Sequence, residues 1–197
     1  LARIGIGKII ISDFDILENR NIGNQMYKKY HMGFSKPDAI TEIIQSIGNT
    51  KVIAIRKKVQ NINFDEIDAD IFLGNFDNHG ARYFLNYISY LKKKPYIDVG
   101  IESMTGSLRF VIPEKTPCLE CWQSLLNQPD RVVGCSEEKV PTPYFVASVV
   151  SSFQITEMLN YLFGKQVHEM IYFDLDKGLA RPINLSRNRR CELCGTR

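Results

Sequence analysis

Apolar and polar positions follow two rhythms along the 197-residue chain, and each rhythm marks a different kind of element. Short apolar runs bounded by turn residues predict strands: "KIIISDFD" over 8–15, "KVIAIRKKV" over 51–59 and "ADIFLGNFDN" over 69–78, then "KPYIDVGI" over 94–101 and "GSLRFVIP" over 106–113. Helical spacing covers 35–48, with Ser35 as cap, Asp38 three residues on and Gly48 at the close. It recurs at 81–93 and at 142–164, where Thr142 is the expected cap, Pro143 falls in the first turn and Gly164 follows. Leu1 to Ile4 read as the last turn of a helix stopped by Gly5, and 168–175 with 179–185 read as a terminal hairpin. Strands alternating with helices predict an α/β fold, a mostly parallel sheet with late antiparallel strands. The stretch between Cys121 and Pro143 is the one long irregular segment, and such loops are often functional.

With 44% hydrophobic and 24% charged residues the composition fits one globular domain with a sizeable core. A net charge of +3 is too mild to argue for nucleic acid, and no apolar run is long enough for a membrane span. Five cysteines, four of them in two Cys-x-x-Cys pairs, point to metal in a reducing, cytoplasmic setting rather than to disulfides.

The pairs are Cys118/Cys121 in "CLEC" and Cys191/Cys194 in "CELC". Two such knuckles complete a tetrahedral Zn²⁺ site that leaves no position for substrate, so the expected role is structural: a clamp between the chain end and a middle loop. Two unrelated buried or redox pairs are the plainer alternative. Cys135, in "VVGCSEEKVPTP", lies in the irregular stretch near Lys139 and a helix start, a setting that can lower a thiol pKa. It is a candidate nucleophile or an ordinary loop cysteine. Asp13 and Asp15 end one predicted strand and Asp77 another, and ligands of open α/β sheets bind beyond the carboxyl ends of strands. Asp13 suits ribose hydroxyls and Asp77 suits Mg²⁺, although Asp also serves turns there. Lys36 falls in the first turn of its helix, where the macrodipole disfavours a cation; it either gathers an anion or is simply solvated. The histidines at 31, 79 and 168 show no metal spacing, and Trp122 is expected to pack.

Six ordered segments together resemble the ubiquitin-activating-enzyme-like superfamily, the MoeB/ThiF/HesA adenylating domains: "LARIGIGKIIISDFD", "NRNIGNQ", "GFSKPDA", "DIFLGNFDN", "TPCLECW" and "RRCELCG". The resemblance covers essentially the whole chain. It implies a Rossmann-like fold with a structural four-cysteine zinc site over residues 1–197, a single adenylation domain lacking its first strand and Gly-rich loop. It implies ATP and Mg²⁺ as cofactors, with Asp13 on the ribose, Asn21 and Lys36 on the phosphates, and Asp77 on Mg²⁺ beside Asn78. Asp15 flanks the same nucleotide site. The implied partner is a ubiquitin-like or sulfur-carrier β-grasp protein whose C-terminal carboxylate is adenylated, and the expected assembly is a homodimer. Cys135 would take the carrier as a thioester or handle sulfur. Where the family has an arginine this chain has Asn24, and Arg20 is the nearest substitute if that segment is helical. A non-catalytic subunit that binds a ubiquitin-like partner, and adenylation of a short peptide, are the alternatives. A nicotinamide oxidoreductase is a weaker third, since it needs neither the knuckles nor Asp77.

Overall fold

The computed structural model describes residues 1–23, 25–123 and 142–195. They form two compact units, residues 1–67 and 68–197.

The first unit is a βαβ crossover. A single turn over Ala2–Ile4 ends at Gly5, whose φ of 83° is the left-handed cap the sequence predicts. Strand β1, Lys8–Ser12, is parallel to β2, Lys51–Ile55, in register from Lys8↔Lys51 to Ser12↔Ile55. Between them lie a short helix α1, Asn19–Ile22, and helix α2, Lys36–Gln45, which packs on β2. Leu17, Tyr27 and Ala39 are the buried centre, with Ile22, Ile40 and Ile43 against them. The strand predicted over 51–59 stops at Ile55, and the chain turns through Val59–Asn61 with Val59 buried.

The second unit is a five-stranded sheet in the order β3-β4-β5-β6-β7. Strand β3, Phe72–Gly74, is joined to the parallel β4, Tyr96–Glu102, by helix α3, His79–Lys92. Strands β5, Thr105–Val111, β6, Met170–Asp174, and β7, Leu179–Ile183, are all antiparallel to their neighbours. The fold is α/β with parallel pairs first and antiparallel strands last. A short helix α4, Glu120–Gln123, and the long α5, Tyr144–Leu162, lie between β5 and β6. Helix α5 begins after Pro143, which adopts φ −62°, ψ 143° and is itself the N-cap. Thr142 is not the cap, because Pro143 itself keeps the extended backbone of a cap residue and the first helical residue is Tyr144.

The pleat sorts the sheet's side chains by face. Leu108 and Phe110 on β5 are fully buried on the α5 side, where Phe110 meets Tyr161 at 5.5 Å and Phe173 meets Phe153 at 4.9 Å. On the other face, Tyr96 and Asp98 of β4 lie under α3. Helix α3 starts at His79, two residues before its apolar pattern, because Asn78 Oδ1 accepts the Ala81 N–H at 2.8 Å. Strand β3 covers only three of the ten residues that its pattern suggested, and it ends where the Tyr96 ring fills the space beside Gly74: a Cβ at Gly74 would collide with that ring. No helix among the described residues is long and apolar enough to cross a membrane.

Gly74→Ala is therefore expected to cost about 1–3 kcal/mol of stability, read as a lower urea midpoint. A midpoint equal to the parent's would show that the Tyr96 ring steps aside freely.

Candidate active site and thiol cluster

At the carboxyl end of β1 the chain is clamped to the start of α2 by main-chain bonds. Lys36 N–H donates to the Asp15 carbonyl at 3.0 Å, Leu17 N–H to the Phe34 carbonyl at 2.9 Å, and Gly33 N–H to the Leu17 carbonyl at 3.0 Å. Ser35 caps α2 as expected: its hydroxyl accepts the Asp38 N–H at 3.3 Å and donates to the Asp38 carboxylate at 2.5 Å. Arg56, just past β2, grips the same carboxylate with two bonds of 2.8 and 2.7 Å. The helix that carries Lys36 is thus fixed at both its cap and its first turn.

This framework brings Lys36 to two of the predicted acids. Its Nζ lies 2.5 Å from Asp15 Oδ2 and 3.7 Å from Asp13 Oδ2. The Lys36 side chain is mostly buried, at 15% exposure, while Asp15 is 46% exposed. Asp13 Oδ1 is already engaged by the Asp15 N–H at 2.9 Å, which folds 13–15 into a tight turn. The buried Tyr27 phenol also faces this group. Burial first, then the charges of Asp13 and Asp15, push its pKa up to about 12. Asn21 lies on α1, where its Oδ1 accepts the Glu18 N–H at 2.9 Å. Arg20 is on the same helical turn, mostly exposed and paired with Glu18 at 2.8 Å. Asn24 and Cys135 fall outside the described residues.

In the second unit Asp77 is exposed just past β3, and Asn78 Nδ2 reaches its Oδ1 at 3.3 Å. Asn78 also caps α3, so it orients the loop as much as it offers a polar group. Behind this loop lies a network that the sequence reading missed. Arg82 donates to the Asp98 carboxylate, to the Phe76 carbonyl at 2.7 Å and to the Val99 carbonyl at 3.0 Å. Tyr96 donates to the other Asp98 oxygen at 2.7 Å. A lone Arg inside an apolar helix face and a lone Asp inside "YIDVGI" were the available signal, since buried charges must pair.

Far along the chain but within the second unit, the four paired cysteines converge. Their sulfurs all lie within 4.8 Å of one another: Cys118 to Cys191 is 3.5 Å, Cys121 to Cys194 is 3.2 Å and Cys118 to Cys121 is 4.0 Å. A tetrahedral Zn–S distance of about 2.3 Å separates sulfurs by about 3.8 Å, so the donor set and its spacing suit a divalent soft metal. Burial, then the Cys194 sulfur, push the Cys118 thiol up, and burial pushes Cys121 up to about 11. Burial raises Cys194 too, but hydrogen bonds from the Cys118 amide and the neighbouring thiols outweigh it and bring it down to about 7. Gly195 closes the second knuckle: its N–H donates to the Cys191 carbonyl at 2.9 Å, and a Cβ there would lie 2.5 Å from that oxygen.

The candidate features of this α/β fold are the acids beyond the ends of β1 and β3, the lysine in the first turn of the crossover helix and the four-thiol cluster. The ThiF family model matches residues 1–193, and the chain belongs to that family. It is 25% identical over 203 residues to the adenylyltransferase and sulfurtransferase MOCS3 of Danio rerio, covering 99% of this chain and 44% of that protein. It is 26% identical over 200 residues to ubiquitin-like modifier-activating enzyme 5 of Caenorhabditis briggsae, covering 87% of this chain and 45% of that one. The chain thus spans less than half of either relative. The fold matches that of E. coli MccB, solved with ATP, at a TM-score of 0.80 and 21% identity over 98% of this chain and 60% of that one.

The Asp38 carboxyl is held below its ordinary 3.8 by the Arg56 hydrogen bonds first and by Ser35 second. A depressed carboxyl stabilises the folded chain above that ordinary value and loses the contribution as pH falls through the folded pKa. Arg56→Ala should therefore return Asp38 towards 3.8 in a carbon-detected NMR titration; an unmoved Asp38 would deny that Arg56 anchors α2.

Proposed function

We propose that the chain adenylates the C-terminal carboxylate of a ubiquitin-like or sulfur-carrier β-grasp protein, at the expense of ATP. The observation that carries this reading is the Lys36–Asp15–Asp13 group at the end of β1 in a chain of the ThiF family. The names of two relatives, an adenylyltransferase and a ubiquitin-like modifier-activating enzyme, support the reaction class and the partner class. The family match runs through both units, which supports treating residues 1–197 as one adenylation domain.

A carboxylate oxygen of the carrier attacks the α-phosphorus, an acyl–phosphate bond forms, the bond to the bridging oxygen breaks, and pyrophosphate leaves with that oxygen. The difficulty is electrostatic, because an anion must approach a polyanion. On this reading Asp13 accepts the ribose hydroxyls, and Asn21 and Lys36 meet the phosphates. Mg²⁺ would be held by Asp77, a hard exposed carboxylate suited to it, and would neutralise charge on the leaving group. Zn²⁺ would be held by Cys118, Cys121, Cys191 and Cys194 and would tie the second knuckle to the segment that enters α4. Cys135 is the residue we assign to a later thioester or persulfide step. Homodimeric assembly in the cytoplasm completes the proposal. Asn24, an uncharged side chain where an arginine is expected, favours one second reading: a partner-binding subunit without adenylation.

Full-length protein should exchange pyrophosphate with ATP only when its carrier is present, and Asp77→Ala should reduce the exchange by at least about a hundredfold. No exchange with any carrier of Gly-Gly ending would support the non-catalytic reading. Metal analysis should return one zinc per chain, and Cys191→Ser should lose it along with thermal stability; a metal-free parent of equal stability would remove the clasp.

A further inference from the structure

The partner that Lys36 holds in this structure is itself an anion of the protein. A cation in the first turn of α2 works against the helix dipole, and Asp15 Oδ2 at 2.5 Å supplies the compensating charge, with Asp13 Oδ2 at 3.7 Å behind it. The main chain of 15–17 is locked to 33–36, so neither residue's Cα can shift without breaking that ladder. Only the side chains are free to exchange partners. The two acids differ in what they can give up. Asp13 is tethered through Oδ1 to the Asp15 N–H, whereas the half-exposed Asp15 carboxylate holds Lys36 and opens to solvent. The group of Asp13, Asp15 and Lys36 carries net charge −1, the wrong sign for a site that receives polyphosphate.

We propose that Asp15 is a placeholder anion: it occupies the Lys36 ammonium until a nucleotide phosphate displaces it, and by competing for that ammonium it sets how tightly nucleotide binds and how readily product leaves. The inference rests on the adenylation reading and adds a residue that works through Lys36, so Asp15 is a positioning residue. When phosphate arrives, the ammonium turns from the carboxylate to the incoming oxygen and Asp15 rotates into solvent. When product charge falls, Asp15 recaptures the lysine. Charge on Asp15 thereby weakens nucleotide binding and speeds release. The hydrogen bond from the Asp15 amide to Asp13 is main-chain in origin and survives any change of the Asp15 side chain, so the ribose acceptor stays in place.

The test is a double-mutant cycle on the full-length protein, with inorganic tripolyphosphate and magnesium–ATP as probes in titration calorimetry. Asp15→Asn should bind both about tenfold more tightly than the parent, since one facing charge is removed. The gain should vanish when Lys36→Met is the background, because it comes from the freed ammonium. In pyrophosphate exchange, Asp15→Asn should lower the KM for ATP and lower kcat together, and Asp15→Glu should restore both. A purely structural role would not move the two constants in this way, and thermal melts of each variant separate unfolding from partner exchange. If the parent binds ATP but Asp15→Asn binds no more tightly, the placeholder role is overturned and the adenylation reading stands. A gain that persists over Lys36→Met would reduce Asp15 to a surface charge and also overturn it. If the parent binds neither probe, the adenylation reading falls and this inference with it.

Discussion

The short ladder that ties residues 15–17 to 33–36 governs the first unit. It fixes where β1 ends relative to where α2 begins, and every charged group of interest there hangs from one side of that seam or the other. A parallel crossover needs its helix to return over the strands, and the seam supplies the return at the point where backbone donors of α2 are unpaired. Ser35 satisfies one donor, the Asp15 carbonyl receives another, and Arg56 holds the first-turn Asp38 from beyond β2. Because the seam is made of main-chain bonds, it does not depend on the side chains at 13, 15 and 36.

The second unit solves a different problem with a buried charge. Asp98 lies in the middle of a sheet, where an unpaired carboxylate is costly, and Arg82 and Tyr96 between them satisfy both of its oxygens. The same guanidinium reaches the Phe76 carbonyl, one residue before Asp77, so the pair that makes the burial tolerable also braces the loop with the exposed acid. The space that Tyr96 needs is the space that a side chain at position 74 would fill, which is why β3 ends on glycine. The thiol clasp acts at longer range in the chain: it brings residues 118 and 191 together, an arrangement that a sulfur-binding metal would hold more firmly than packing alone.

Several elements were legible because their signals are local. Ser35 with Asp38 marks a helix start through bonds three residues apart, and Gly5 marks a stop through its own φ. The Cys-x-x-Cys pairs signal sulfurs that converge, because two residues of spacing turn both to one side. Other readings slipped where a neighbour outvoted the local pattern. Thr142 looked like a cap, yet the proline after it moved the helix start by one place. Helix α3 began earlier than its apolar rhythm because Asn78 reaches forward to Ala81. Strand β3 shrank to three residues because the sheet, not the apolar run, decides how far pairing extends.

Sequence alone determined the kinds of element, their order, the residues able to carry charge or bind metal, and the resemblance that joined them, since each depends on chemistry within a turn or a strand. Only the tertiary structure decided the partners. Lys36 meets Asp15 across 21 positions and Arg82 meets Asp98 across 16. Long side chains can reach many alternatives, and the choice among them is made by which backbones the fold has already brought within a few ångströms.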